Sequence, residues 1–359
     1  MNTTQRVRRA GLATVAALVI GGSGVAIGAA ATDSSASGTQ AAATAPAAPA
    51  PATPGPASYA SVVRQVLPSV VLIRTENGLG SGVVLDRSGN IVTNAHVAGN
   101  ATKFQVQVAG DTAPRSARLV GSYPPDDLAV IRADNPSGLQ PARFGDSDKA
   151  QAGDVVLAIG NPLGLSGSVT QGIVSATDRA VTEPAADGSA AATLPGAIQT
   201  SAPINPGNSG GALISTSGQV IGIPTLAAGS PQGGGQAQGI GFAIPSNLAR
   251  DIATQIIETG HVTNSHRAAI GAEVATVLGP DGAPGGVGVV SVVSGGAAER
   301  AGLRPGDVIT SVGRSQTPDT TALSQALAAA QPGDRVTVTV SRDGQDRSVQ
   351  VTLGELPGS

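Results

Sequence analysis

Between residues 58 and 245 the apolar positions fall in short runs broken by glycine, proline and aspartate, with no long stretch of helical period. The runs lie at 69–73, 82–85, 90–93, 104–108, 128–131, 155–159, 169–174, 197–200, 211–214, 220–223 and 241–244. Short β-favouring segments separated by glycine-bearing turns predict a sandwich or a barrel. An amphipathic piece at 59–66 precedes them and ends at Pro68, which cannot continue a helix. Residues 175–195 are polar, alanine-rich and unpatterned, and are expected to form a surface loop. The period then changes. Ser246 is expected to cap a packing helix in which Leu248, Ile252 and Ile256 recur once per turn until Gly260 stops it. A second β pattern follows at 272–277, 287–293, 307–312, 335–340 and 348–353, with a helix over 320–330 carrying Leu323 and Leu327 on one face. Two β-rich domains, 58–260 and 267–355, are the expected organisation.

The amino end has a different character. Arg6, Arg8 and Arg9 precede an uncharged stretch to Thr32, about the ~20 residues that span a bilayer. Ala29-Ala30-Ala31 also satisfies the small-x-small rule for cleavage. Residues 1–32 therefore read as a signal peptide or a membrane anchor, and either exports the remainder of the chain. Residues 33–57 are mostly alanine, proline, serine and threonine with a single acid, Asp33, a composition that cannot bury a core. As a linker they would reach roughly 25 Å as a coil or about 80 Å as polyproline II.

Composition narrows the chemistry. The chain of 359 residues has no cysteine, so disulfides and thiolate catalysis are excluded. Three histidines, His96, His261 and His266, and no H-E-x-x-H pattern give a metal site no support. His261 and His266 fall at the domain junction and are expected to be solvated. Net charge is −3, so no basic patch argues for nucleic acid. No P-loop pattern is present, and no nucleotide or other cofactor is expected. With Phe 3, Tyr 2 and Trp 0, the cores must be aliphatic.

The chemistry concentrates in Asn205-Pro206-Gly207-Asn208-Ser209-Gly210-Gly211, which runs into an apolar strand. Glycine there permits positive φ and close backbone approach. Such a turn can lift the Ser209 hydroxyl while aiming the Gly207 and Ser209 N–H groups, with Asn208 between them, at one point. His96 follows the strand that ends at Thr93 and is the only histidine of the first domain. Asp126 and Asp127 enter another strand, and Asp127, abutting the apolar run, is expected to be the more buried. The order His96, Asp127, Ser209 is that of the chymotrypsin-type triad. In such a triad serine attacks a carbonyl, histidine carries the proton and aspartate orients the imidazole.

Thr93 to Val97, Asp127 to Val130, Gly160-Asn161-Pro162-Leu163-Gly164, Val169 to Ser175 and Ile198 to Gly211 together resemble the HtrA (DegP/DegS-type) family of serine proteases. The resemblance implies a mainly β chain: a trypsin-like double β-barrel followed by one PDZ domain. It places the triad on His96, Asp127 and Ser209, the oxyanion loop on Gly207, Asn208 and Ser209, and substrate contacts on Thr225 and Leu226. It also implies unfolded envelope polypeptides as substrates and a homotrimer. Ser201, Pro203 and Ala212 depart from the family's commonest residues, and Pro224 lies in the segment that should pair with substrate. Gly295-Gly296-Ala297-Ala298-Glu299-Arg300-Ala301-Gly302-Leu303-Arg304-Pro305-Gly306-Asp307-Val308-Ile309 resembles a PDZ domain. In that fold a peptide C-terminus adds to a sheet edge. Its carboxylate loop would fall on Ala269, Ile270, Gly271 and Ala272, beside Leu323 and Leu327. A second expectation is a PDZ-based peptide sensor or chaperone whose peptidase is latent.

Overall fold

Two closed six-stranded barrels and a smaller sheet-and-helix module make up the computed structural model. It describes residues 58–76, 78–111, 113–161, 167–183, 192–205, 207–229, 236–279 and 282–357, all within the unit Pro54–Ser359. The expected targeting segment 1–32 and linker 33–57 lie outside the described residues. Among the described residues no helix is long and apolar enough to cross a membrane.

The first barrel comprises β1 (Val70–Arg74), β2 (Leu79–Val84), β3 (Asn90–Thr93), β4 (Lys103–Val108), β5 (Arg115–Tyr123) and β6 (Leu128–Ala133), in the order β1-β2-β3-β6-β5-β4. The second comprises β7 (Val155–Gly160), β8 (Ser168–Glu183), β9 (Ala192–Thr200), β10 (Ala212–Ser215), β11 (Val220–Gly229) and β12 (Gln236–Pro245), in the order β10-β11-β12-β9-β8-β7. Closure leaves neither sheet an unpaired edge. Their interiors are aliphatic: Val71, Ile73, Ile91 and Ile131 in one, Val156, Ile198, Leu213 and Ala243 in the other. A third cluster, with Val83, Val130, Leu157, Ile214 and Ile223, joins the barrels. The helices α1 (Tyr59–Val66) and α3 (Ser246–Thr259) pack onto that cluster through Val62, Val66, Ile252 and Ile256, while the short α2 (Ala95–Ala98) follows β3.

One strand escaped the sequence pattern, and two expectations need correcting. Residues 115–123 form β5, although their alternation of arginine and serine with small apolar residues hid the strand. Gly121 within it lets α3 close in, because a Cβ there would lie 2.8 Å from Gly260 O. The expected surface loop at 175–195 is an arm: β8 runs to Glu183 and β9 starts at Ala192, with Leu194 buried beneath a largely polar exterior. Ser246 is the first residue of α3 rather than its cap. Pro245 holds the cap position, and the Ser246 hydroxyl donates to Gly145 O at 3.0 Å.

The C-terminal module pairs β13 (Ala268–Ala269) with β20 (Gly354–Glu355). Its main sheet runs β14 (Ala272–Leu278), β15 (Pro284–Val292), β16 (Val308–Val312), β18 (Arg335–Arg342), β19 (Gln345–Thr352), with β17 (Ser315–Gln316) paired to β16. The helices are α4 (Ala297–Arg300) and α5 (Thr320–Ala328). Asp307 is buried, and the Arg342 guanidinium that donates to both of its oxygens holds its carboxyl below the usual range. The module rests on the β8–β9 arm, where Gln325 Nε2 donates to Thr182 Oγ1 at 3.2 Å.

Candidate active site

His96 is presented by α2 immediately after β3, and Asp127 by the 3₁₀ turn Pro124–Asp126 at the mouth of β6. β3 and β6 are hydrogen-bonded neighbours, with Thr93 opposite Ala129, so pairing alone brings these two ends together. Asp127 adopts φ 52°, a left-handed conformation costing roughly 1–2 kcal/mol for a residue with a Cβ. Local bonds offset that cost. Its carbonyl accepts the Ala95 N–H and Asn94 Nδ2, each at 3.0 Å. Its carboxylate accepts the His96 N–H at 2.9 Å and lies 2.9 Å, through Oδ2, from His96 Nδ1. That geometry puts the Nδ1 proton toward Asp127 and turns Nε2 away from it.

Burial does not separate the two aspartates: Asp126 is 0% exposed and Asp127 3%. Direction does. Asp127 points to His96, whereas Asp126 pairs with Arg267 of the C-terminal module. His261 and His266 are exposed.

Ser209 lies in the turn leading into β10, and backbone contact fixes that turn. Gly207 and Gly210 take φ 104° and 77°. A Cβ on Gly210 would meet Ser81 O at 2.2 Å, and one on Gly211 would meet Ile159 O at the same distance. The Ser209 carbonyl accepts the Ser81 N–H at 2.9 Å, and Gly210 N–H donates to Pro224 O at 2.9 Å. Ser81 is buried in β2 and braces the turn from beneath. Its Oγ donates to Gly207 O at 2.6 Å and accepts the Asn161 N–H at 2.8 Å. Asn208 is buried and donates through Nδ2 to Pro203 O at 3.3 Å. Among the described residues, no hydrogen bond within the protein engages the N–H of Gly207 or of Ser209.

Thr225 differs from its expected place against substrate. It is 2% exposed, and its hydroxyl donates to Asp127 Oδ2. Its carbonyl accepts the Ser209 hydroxyl at 3.0 Å. Sequence reasoning missed this role, although a lone hydroxyl within the apolar run of β11 is the kind of signal that marks it. The side chain of Leu226 lies outside the described residues. The serine and the imidazole–carboxylate pair thus meet around Thr225, which bonds both Asp127 and Ser209. A serine hydroxyl, an imidazole–carboxylate pair and a glycine turn are the groups that acyl transfer requires.

Comparison with known proteins extends this reading. Residues 80–223 match the model of the trypsin-like peptidase domain, and residues 262–353 that of the PDZ domain. The periplasmic pH-dependent serine endoprotease DegQ of Escherichia coli (strain K12) is 36% identical over 330 residues, covering 82% of this chain and 70% of that protein. The chain belongs to the HtrA family of serine proteases. Serine protease PepD of Mycobacterium tuberculosis is 40% identical over 317 residues, 83% of this chain and 66% of that one. The chain spans 56% of the length of DegP of Escherichia coli (strain K12). Among solved structures, the HtrA-type protease AlgW with decapeptide aligns with a TM-score of 0.55 at 34% identity, over 84% of this chain and 99% of that chain.

The PDZ domain of this HtrA protein carries a cavity of about 250 Å³ lined by residues of β14 and α5. Ala269, Ile270, Gly271 and Ala272 line it together with Val274, Leu323 and Leu327. The loop is fixed by its carbonyls: Ile270 O accepts the Ala298 N–H and Gly271 O the Val293 N–H. Pro195, from β9 of the protease domain, reaches the same cavity.

Proposed function

We propose that this protein is an exported, ATP-independent serine endopeptidase that cleaves unfolded or damaged envelope polypeptides, with His96, Asp127 and Ser209 as its triad. The observation that carries the reading is the Asp127–His96 pair at 2.9 Å beside a serine tied to the same Thr225. In the reaction, Ser209 Oγ bonds to the scissile carbonyl carbon as its proton passes to His96 Nε2. Collapse of the tetrahedral species breaks the C–N bond, and the imidazolium returns the proton to the leaving amine. Asp127 stabilises the imidazolium, while the Gly207 and Ser209 N–H groups receive the oxyanion, each such donor contributing about 3 kcal/mol. Water then releases the acyl group by the same path in reverse. The PDZ groove binds peptide C-termini and adjusts the peptidase, and the protein works as a homotrimer, held at the membrane if residues 1–32 stay uncleaved. Relatives named periplasmic support the location, and the HtrA-type protease AlgW solved with a decapeptide supports peptide binding.

One observation favours the second reading, a peptide sensor or chaperone with a latent peptidase. The Ser209 hydroxyl donates to the Thr225 carbonyl at 3.0 Å, a resting orientation from which it must turn to reach the base. Casein hydrolysis separates the readings. Active endopeptidase gives steady cleavage that Ser209→Ala abolishes. A latent enzyme gives cleavage only after C-terminal peptides are added. Hydrolysis unchanged by Ser209→Ala removes the proposal.

A further inference from the structure

Arg267 stands one residue before β13, at the entrance to the PDZ domain, yet its guanidinium reaches back into the protease domain. Nη1 donates to Pro125 O at 2.6 Å and to Asp126 Oδ1 at 3.0 Å. Both side chains are enclosed, Asp126 fully and Arg267 to 12% exposure, and Asp126 Oδ2 has no partner among the described residues. The other ionisable groups around the carboxyl are His266 on the same linker, the buried Tyr123 and the adjoining Asp127, with Glu355 of β20 facing Tyr123. A buried carboxylate deprived of its counter-ion must take up a proton or move toward water. Here movement would be transmitted, because the next residue is Asp127 in its left-handed conformation.

We propose that Arg267 is a positioning residue for the triad supplied by the PDZ domain: by neutralising the buried Asp126 carboxylate it holds the Pro124–Asp126 turn, and through it Asp127, in register with His96. The inference rests on the triad reading above. Burial pushes the Asp126 carboxyl up to about 6, with Arg267 opposing the shift. Removing Arg267 raises it further, so that the uncompensated charge forms only on the alkaline side and a proton relieves it at a pH above 6. The resulting defect is therefore one of charge, relieved by acid or by a neutral residue at position 126.

The test measures casein hydrolysis by the full-length protein as wild type, Arg267→Ala, Asp126→Asn and the double variant, from pH 5.5 to 8, with thermal unfolding in parallel. At pH 8 Arg267→Ala is expected to lose roughly tenfold to a hundredfold in kcat, the scale of a small misplacement, with KM nearly unchanged. Its rate relative to wild type should climb as pH falls from 8 and should have recovered by about pH 6, and Asp126→Asn/Arg267→Ala should match Asp126→Asn at pH 8. A wild-type rate for Arg267→Ala at pH 8, or an equal loss in the Asp126→Asn background, overturns the proposal. If Arg267→Ala does not fold, a folded and active double variant supports it and an unfolded one overturns it. Failure of the triad reading is a separate result, namely casein cleavage that survives Ser209→Ala.

Discussion

Thr225 joins Asp127 to Ser209: its hydroxyl donates to Asp127 Oδ2 while its carbonyl accepts the Ser209 hydroxyl at 3.0 Å. One residue of β11 thus sets both the carboxylate that would orient the base and the rest position of the proposed nucleophile. Replacing Thr225 by valine keeps the shape and removes the donor to Asp127. A hydrogen bond to a charged group contributes about 1.5–3 kcal/mol, so kcat should fall roughly tenfold to a hundredfold with KM little changed. Thr225→Ser should retain most activity. Steady-state kinetics of the two variants checks this, and equal loss in both would point to packing rather than hydrogen bonding.

Ser81→Ala probes the turn beneath Ser209. The Ser81 hydroxyl bridges Gly207 O and the Asn161 N–H inside the protein, with both bonds shorter than 3 Å. Alanine leaves two buried backbone groups unpaired, at about 1–3 kcal/mol each. Urea denaturation should register that loss, and kcat should fall because the Gly207 peptide is freed. A stable variant with a normal kcat would mean that the turn needs no brace from β2.

Much of this was legible in the sequence because it is carried by local pattern. Apolar runs at 90–93 and 128–131 mark β3 and β6, and pairing those strands brings His96 to Asp127. The glycines around Ser209 announce a turn pressed against other backbone, and the contacts of Gly210 and Gly211 explain them. What escaped depends on partners distant in the chain. Ser81 and Gly207 are 126 positions apart, Thr225 and Asp127 98, and Arg267 and Asp126 141. No periodicity encodes such pairs. The β8–β9 arm was hidden differently: its polar exterior reads as loop, and the structure shows it ladder-paired, with the PDZ helix α5 set against it.

Asp126 gives stability a pH signature with a definite sign. Its folded-state value, about 6, lies above the ordinary carboxylate value, so the folded protein binds the proton more tightly than the unfolded chain. The associated stabilisation is complete below about pH 4 and is lost as pH rises through about 6. Asp126→Asn cannot ionise and lacks that loss. Its stability relative to wild type should therefore grow between pH 4 and 7 by about 2–3 kcal/mol, at 1.36 kcal/mol per pK unit. Urea titrations at the two pH values measure the difference, and a gap independent of pH would show that Asp126 titrates normally.

The central claim, that Ser209 is a nucleophile activated by His96, is tested most directly by a fluorophosphonate probe with peptide mapping of the adduct. A single phosphonyl group on Ser209 is expected, with no adduct in Ser209→Ala and strongly slowed labelling in His96→Ala. An adduct on another residue, or labelling of His96→Ala at the wild-type rate, would contradict the account.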